Sequence, residues 1–259
     1  MVAPFQPRFV LEPPSDANAF KIYTDAWWYA FEKKSTEEIW QHIKSDARPE
    51  WCAEVFGPLK GKQVVELGPG DGYNTAALER LGADVTSIEG NVDAFLRCLI
   101  LKNALGLTSK FMLGDFTKAF MNTPQIDLLY ACGILYHLQD PIGFLENAHG
   151  AAENLFIWTH YYDPEHVQHV EYERVGFAAN KTAQREFKGQ TFTYYEKEYH
   201  LDHVQRAGYI GGLNATCAYM SHEDLFSAIE LSGFKVTRVV EDPPTTNMIG
   251  AVNVFAKRV

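Results

Sequence analysis

Between residues 62 and 159 the apolar positions switch repeatedly between two rhythms. Short, β-branched runs predict buried strands at Gln63–Leu67, Asp84–Glu89, Lys110–Leu113, Asp127–Cys132 and Asn154–Thr159. Between the early runs lie segments with helical spacing, Thr75–Leu81 and Val92–Leu105. Strands alternating with helices imply βαβ units and a parallel sheet covered on both faces. Over 160–212 the rhythm stops, and no strong strand pattern is visible. It returns at Ser221-His222-Glu223-Asp224, an S-x-x-D cap before a helix over Leu225–Leu231 that Gly233 closes. Two further strands, Lys235–Val240 and Ala251–Ala256, are expected to pair like a hairpin across EDPPTTNMIG.

Residues 1–59 differ in texture and are expected to form an N-terminal helical cap on a larger unit spanning 60–259. MVAPFQPRFVLEPPSD reads as an extended arm ending in a Pro-Pro break. The next stretch concentrates Phe20, Tyr23, Trp27, Trp28, Tyr29 and Phe31. A helix burying these rings on the sheet unit accounts for them, and a lid over a ligand is compatible with that.

Composition narrows the picture. At 259 residues the chain can bury a sizeable core, and 46% hydrophobic with 22% charged residues is ordinary for a globular protein. No apolar run reaches membrane-spanning length, and no signal-peptide layout opens the chain. The four cysteines, Cys52, Cys98, Cys132 and Cys217, form no C-x-x-C pair, which suits free thiols in a reducing cytoplasm. A net charge of −10 disfavours nucleic acid as a partner and suits a neutral or cationic small molecule.

The segment VVELGPGDG places Gly68, Gly70 and Gly72 directly after the first strand. In open α/β sheets ligands bind at the carboxyl ends of strands, and glycines there let backbone N–H groups approach a ligand closely. Glu89 ends the second strand, where a carboxylate can accept ribose hydroxyls, and Asp115 follows the third in FMLGDF. The ordered series VVELGPGDG, TSIEGN, MLGDF and IDLLYACGILYHLQDP resembles motifs I to IV of class I S-adenosylmethionine-dependent methyltransferases. The likeness covers about residues 62–159 and extends through the helix and strands of 221–256.

The resemblance implies a Rossmann-like α/β fold with a seven-stranded, mostly parallel sheet whose last strand is antiparallel, and S-adenosylmethionine as cofactor. Glu66, Gly68 and Gly70 would face its methionine part, Glu89 its ribose, and Asp115 its adenine amino group with Phe116 beside the ring. Cys132 and Gly133 would offer backbone near the methionine ammonium. GILYHLQDP is similar to the G-x-L-Y-H-x-x-x-P of a branch that includes wobble-uridine tRNA carboxymethyltransferases and small-molecule enzymes. The acidic charge departs from the tRNA members.

His137 is a candidate general base, because imidazole titrates near neutrality, and its alternative role is structural support beneath the cofactor. Tyr136 and Tyr161 are candidates for lining the pocket and orienting a nucleophile. The insertion 160–212 is expected to act as a tyrosine-rich lid that selects the substrate, since eight of thirteen tyrosines lie between Tyr161 and Tyr219. His166 with His169 and His200 with His203 stand one helical turn apart, but neither pair has a matching ligand set, and no metal is expected. The reading is methyl transfer to a small molecule. Its rivals are cyclisation of the cofactor's aminobutyryl chain with release of methylthioadenosine, tRNA modification, a nicotinamide dehydrogenase, and a protein that binds the cofactor without turnover.

Overall fold

In the computed structural model, residues 15–23, 26–27, 34–118, 126–199, 208–209 and 211–259 are described. Residues 1–14 of the N-terminal arm, Trp28, Tyr29, Phe31, His200 and His203 lie outside the described residues.

The first strand, β1 (Gln63–Leu67), is exposed only at its first residue. It pairs in parallel with β2 (Asp84–Glu89) on one side and β4 (Ile126–Cys132) on the other. With β3 (Lys110–Leu113), β5 (Ala152–His160), β9 (Phe234–Asp242) and β10 (Ala251–Arg258) they form a seven-stranded sheet in the order β3-β2-β1-β4-β5-β10-β9. Only β10 runs against its neighbours, pairing antiparallel with both β5 and β9. The expected architecture is therefore present. The chain builds outward from β1 to β3, then crosses back to β4, so the connections after β1 and β4 diverge and open a crevice between them.

Alternation along each strand feeds two cores. Val64, Leu128, Tyr130 and Phe156 meet Cys52 of α3 (Arg48–Phe56) and Leu78 of α4 (Tyr73–Arg80). Val65, Leu67, Leu129 and Ala131 meet α6 (Pro141–Ala151) and α9 (His222–Leu231) on the opposite face. Tyr130 stacks on Phe156, with centroids 4.4 Å apart and planes 11° apart. Burying aromatic side chains of this size contributes about 1.5–3 kcal/mol each. The Ser221 hydroxyl accepts the Asp224 N–H, which is the expected cap of α9.

The described N-terminal elements are α1 (Asp16–Phe20), α2 (Thr36–Lys44) and α3. A reciprocal capping box between Ser35 and Glu38 starts α2. Phe20, Trp27, Ile39 and Ile43 pack on Ala76 and Ala77 of α4 and Leu101 of α5 (Val92–Leu105).

The insertion departs from the expectation. After the short helices α7 (Pro164–His169) and α8 (Glu171–Gly176), strands β6 (Thr182–Phe187) and β7 (Gln190–Glu198) form an antiparallel hairpin, and β8 (Thr216–Tyr219) joins β7. The two-residue connection Lys188-Gly189 has φ of 47° and 84°, the backbone of a primed hairpin turn. Phe187, Phe192, Tyr194 and Ala218 enter the core beside α6 and α9. The strands are obscured in the sequence because charged residues crowd the solvent face while Lys197 points inward, where an apolar residue is expected.

Candidate active site

Gly68, Gly70 and Gly72 all have positive φ, at 58°, 62° and 86°, so this turn needs residues without a Cβ. A side chain at Gly68 would also collide with Ile134. The Glu89 carboxylate clamps the turn from below. One oxygen accepts the Gly70 N–H at 3.1 Å, and the other accepts the Asn91 N–H at 2.8 Å. Burial raises the Glu89 pKa above the usual carboxylate range, and the backbone donors partly oppose it. Each oxygen retains a lone pair for a ligand hydroxyl.

A second clamp was not anticipated from sequence. Arg97 donates to Asp71 at 2.6 Å with both side chains buried, and the Tyr73 hydroxyl donates to Asp71 at 3.0 Å. An arginine among Ala94, Cys98 and Leu101 on the buried face of α5 is the signal that could have revealed it.

Glu66 lies beneath the turn, outside the cleft wall. It is 1% exposed and accepts hydrogen bonds from the Thr75 and Ser87 hydroxyls. Burial lifts its pKa to about 7, and those two donors hold it from rising further. Asp115 does line the cleft, with one oxygen accepting the Thr117 N–H and hydroxyl at 3.0 and 2.6 Å. Phe116 stands beside it, edge-on to Phe144 at 6.2 Å. Cys132 and Gly133 line the cleft after β4. Burial pushes the Cys132 thiol up to about 12, so it is a neutral wall, and the Gly133 N–H donates to the Trp158 carbonyl at 2.8 Å.

Tyr136 and His137 sit on the short 3-10 turn Leu135–His137 and line the cleft. Tyr136 is surrounded by the rings of His137, Trp158, His160 and Tyr219, with centroids 4.1–6.0 Å away. His137 Nδ1 hydrogen-bonds the Tyr199 hydroxyl, which also accepts the Gly212 N–H at 3.3 Å. Burial, with Lys197 and His160 nearby, drives His137 down to about 3. The ring is therefore neutral, with its Nδ1 engaged by the Tyr199 hydroxyl. Tyr161 lies outside the cleft wall, edge-on to His222 at 5.0 Å.

Beyond Tyr136 the cleft continues over residues that sequence reasoning did not select for chemistry. In the sheet register Trp158, Asn253 and Val240 form one row, and His160, Ala251 and Asp242 the next. The Trp158 indole N–H donates to Asp242 at 2.7 Å, and the Asn253 amide donates to the same oxygen at 3.2 Å. Arg48, at the start of α3, lies over the Trp158 ring at 4.7 Å and is held by Asp46 through two bonds of 2.6–2.8 Å. The whole cleft has a volume of about 1770 Å³, beyond the roughly 300–1,000 Å³ typical of a pocket for one small molecule. Among the described residues no helix is long and apolar enough to cross a membrane.

Residues 65–154 match the family described as "Methyltransferase domain". The tRNA U34 carboxymethyltransferase of Psychrobacter arcticus is 24% identical over 139 residues, which are 50% of this chain and 35% of that protein. The chain spans about a third of the length of curated relatives it matches. Among solved structures, the N-terminal domain of EvdMO1 with S-adenosylhomocysteine bound has a TM-score of 0.65 at 16% identity, covering 94% of both chains. The 1,6-didemethyltoxoflavin-N1-methyltransferase of Burkholderia thailandensis, with 1,6-didemethyltoxoflavin and S-adenosylhomocysteine bound, has a TM-score of 0.55 at 12% identity, covering 96% of this chain and 93% of that one. Those likenesses are of fold. Residues 65–154 thus match a methyltransferase domain, and the chain shares the fold of two proteins solved with S-adenosylhomocysteine bound.

Proposed function

We propose that the chain transfers a methyl group from S-adenosylmethionine to a small molecule. The observation that carries this reading is a single cleft of about 1770 Å³ with two differently built halves. One half has the positive-φ glycine turn, Glu89, Asp115 and Phe116, and these fit the cofactor. Glu89 would hold its ribose hydroxyls, Asp115 its adenine amino group, and the backbone of Gly68, Gly70, Cys132 and Gly133 its methionine end. The other half has aromatic walls and a carboxylate, and it would take the acceptor. When bound, the cofactor supplies a methyl carbon activated by a sulfonium, so much of the protein's task is to align two reactants and exclude water.

The size of the cleft argues against cyclisation of the cofactor alone, for which a small sealed pocket is the better container. The relative named for tRNA U34 favours RNA modification as a second reading, against which stands the charge of −10. Mass spectrometry separates the three. Methyl transfer gives S-adenosylhomocysteine with a methylated small molecule from a metabolite extract. Cyclisation gives methylthioadenosine from the cofactor alone, and RNA modification gives an altered nucleoside in a tRNA pool.

A further inference from the structure

The geometry points to His160 as the group that takes the acceptor's proton, with Asp242 as its neighbouring anchor, and so to an acceptor that reacts through an N–H or O–H group. This rests on the methyl-transfer reading above. His160 ends β5 and lines the cleft. Its Nδ1 lies 3.1 Å from the Gly250 carbonyl, which can only accept, so Nδ1 carries the hydrogen and the lone pair sits on Nε2. No described residue hydrogen-bonds Nε2. The ring is held edge-on between Tyr136 at 4.8 Å and Trp158 at 5.0 Å. At His137, by contrast, Nδ1 meets a hydroxyl that can donate or accept, that of Tyr199. The groups that bear on the charge of His160 are Glu173, which favours the imidazolium, Lys197, which opposes it, and the carbonyls of Gly250 and Ile249, which favour it; burial is the largest influence and keeps the ring neutral.

Asp242 stands two strands away in the same register row, separated by the small Ala251. It is oriented by two neutral donors, Trp158 and Asn253, and pairs with no cation among the described residues. Arg48, which lies over the Trp158 ring, is paired with Asp46. The Asn253 side-chain oxygen is buried without a hydrogen-bond partner. This corner therefore offers a lone pair and a carboxylate, both of which seek hydrogen-bond donors. It repels carboxylate and phosphate acceptors. In the transfer the acceptor's nitrogen or oxygen bonds to the methyl carbon and the carbon–sulfur bond breaks with its electron pair remaining on sulfur. The displaced proton passes to His160 Nε2 and then to water.

Two measurements on the full chain test this. Nitrogen NMR of the protein loaded with S-adenosylhomocysteine at neutral pH, assigned against His160→Gln, is expected to give a neutral Nδ1–H tautomer at His160. An Nε2–H tautomer or an imidazolium overturns the assignment. Catechol, aniline and imidazole, with benzoate as the acid control, are then incubated with methyl-deuterated S-adenosylmethionine and the products weighed. Labelled product is expected from at least one hydrogen-bearing probe and none from benzoate. His160→Gln is expected to lower that rate about 10²–10⁴-fold and to remove the acid limb of its pH profile. Asp242→Asn is expected to raise KM more than it lowers kcat. Product from benzoate alone, no product from any hydrogen-bearing probe, or a parental rate and pH profile in His160→Gln overturns the proposal. Mass spectrometry of the parent with a metabolite extract separates this failure from failure of the methyl-transfer reading: S-adenosylhomocysteine with a methylated small molecule keeps that reading, whereas methylthioadenosine or an altered tRNA nucleoside removes it.

Discussion

The indole of Trp158 and the carboxylate of Asp242 are joined by a 2.7 Å hydrogen bond that crosses from β5 over β10 to β9. Trp158 also uses its backbone, since its carbonyl accepts the N–H of Gly133 after β4. One residue thus ties the loop beside the glycine turn to the far wall of the cleft.

Replacing Trp158 by Phe keeps a ring and removes the donor. A hydrogen bond to a charged group contributes about 1.5–3 kcal/mol when buried, and the partial burial of this one brings the expected loss to about 1–2 kcal/mol. Urea unfolding of Trp158→Phe beside Asp242→Asn measures it, and the double variant is expected to lose less than the sum of the two. Strict additivity would mean that the bond does not stabilise the fold.

Arg97 and Asp71 are both buried, so removing either leaves an uncompensated charge. Arg97→Met and Asp71→Ala are each expected to destabilise by about 3–5 kcal/mol, and the pair removed together by much less. Chemical denaturation of the three variants decides this. Because Asp71 lies inside the glycine turn, both single variants are also expected to weaken cofactor binding.

Glu66 makes a prediction about pH. Burial raises its folded-state pKa to about 7 from an ordinary 4.5. The unfolded chain therefore ionises first, and the native state is favoured below pH 4.5 and loses that advantage as pH rises through about 7. Glu66→Gln removes the dependence. The stability of the parent minus that of the variant is expected to fall by up to about 3 kcal/mol between pH 4.5 and pH 7.5, since one pKa unit corresponds to about 1.4 kcal/mol. A flat difference would mean that the Thr75 and Ser87 hydroxyls keep Glu66 ionised.

Glu89 supports the turn and faces the cleft, so two substitutions separate its roles. Glu89→Gln keeps one acceptor oxygen for the backbone N–H groups of Gly70 and Asn91, while Glu89→Ala keeps none. Titration calorimetry with S-adenosylhomocysteine is expected to give at least a tenfold loss for Ala, about 1.4 kcal/mol, and a smaller loss for Gln. Equal affinity in all three proteins would remove Glu89 from the cofactor's surroundings.

Much of the sheet was legible because its inner strands are short and largely buried, and helices of ordinary spacing separate the early ones. β2, β3 and α5 have the bounds that the sequence predicts. The hairpin of the insertion was not legible, because Lys197 sits inside it, 4% exposed, against Glu173 at 2.6 Å and the ring of Tyr172. A charge on the inner face breaks the period of two. The far wall of the cleft was missed for another reason: it is assembled by pairing between β5, β9 and β10, and no local pattern records that Trp158 and Asp242 meet. Tyr161 was singled out where His160 lines the cleft, a difference of one residue. In an extended strand that difference sends a side chain to the opposite face.

The glycine turn follows an interior strand of the sheet, β1, whereas Asp242 and Asn253 belong to a hairpin at its rim. A rim can be rebuilt while the centre is left alone. Exchanging residues 234–258 for the equivalent hairpin of a differently selective protein, with Trp158 retained as the hinge between old and new walls, is thus a practical route to redirecting this cleft.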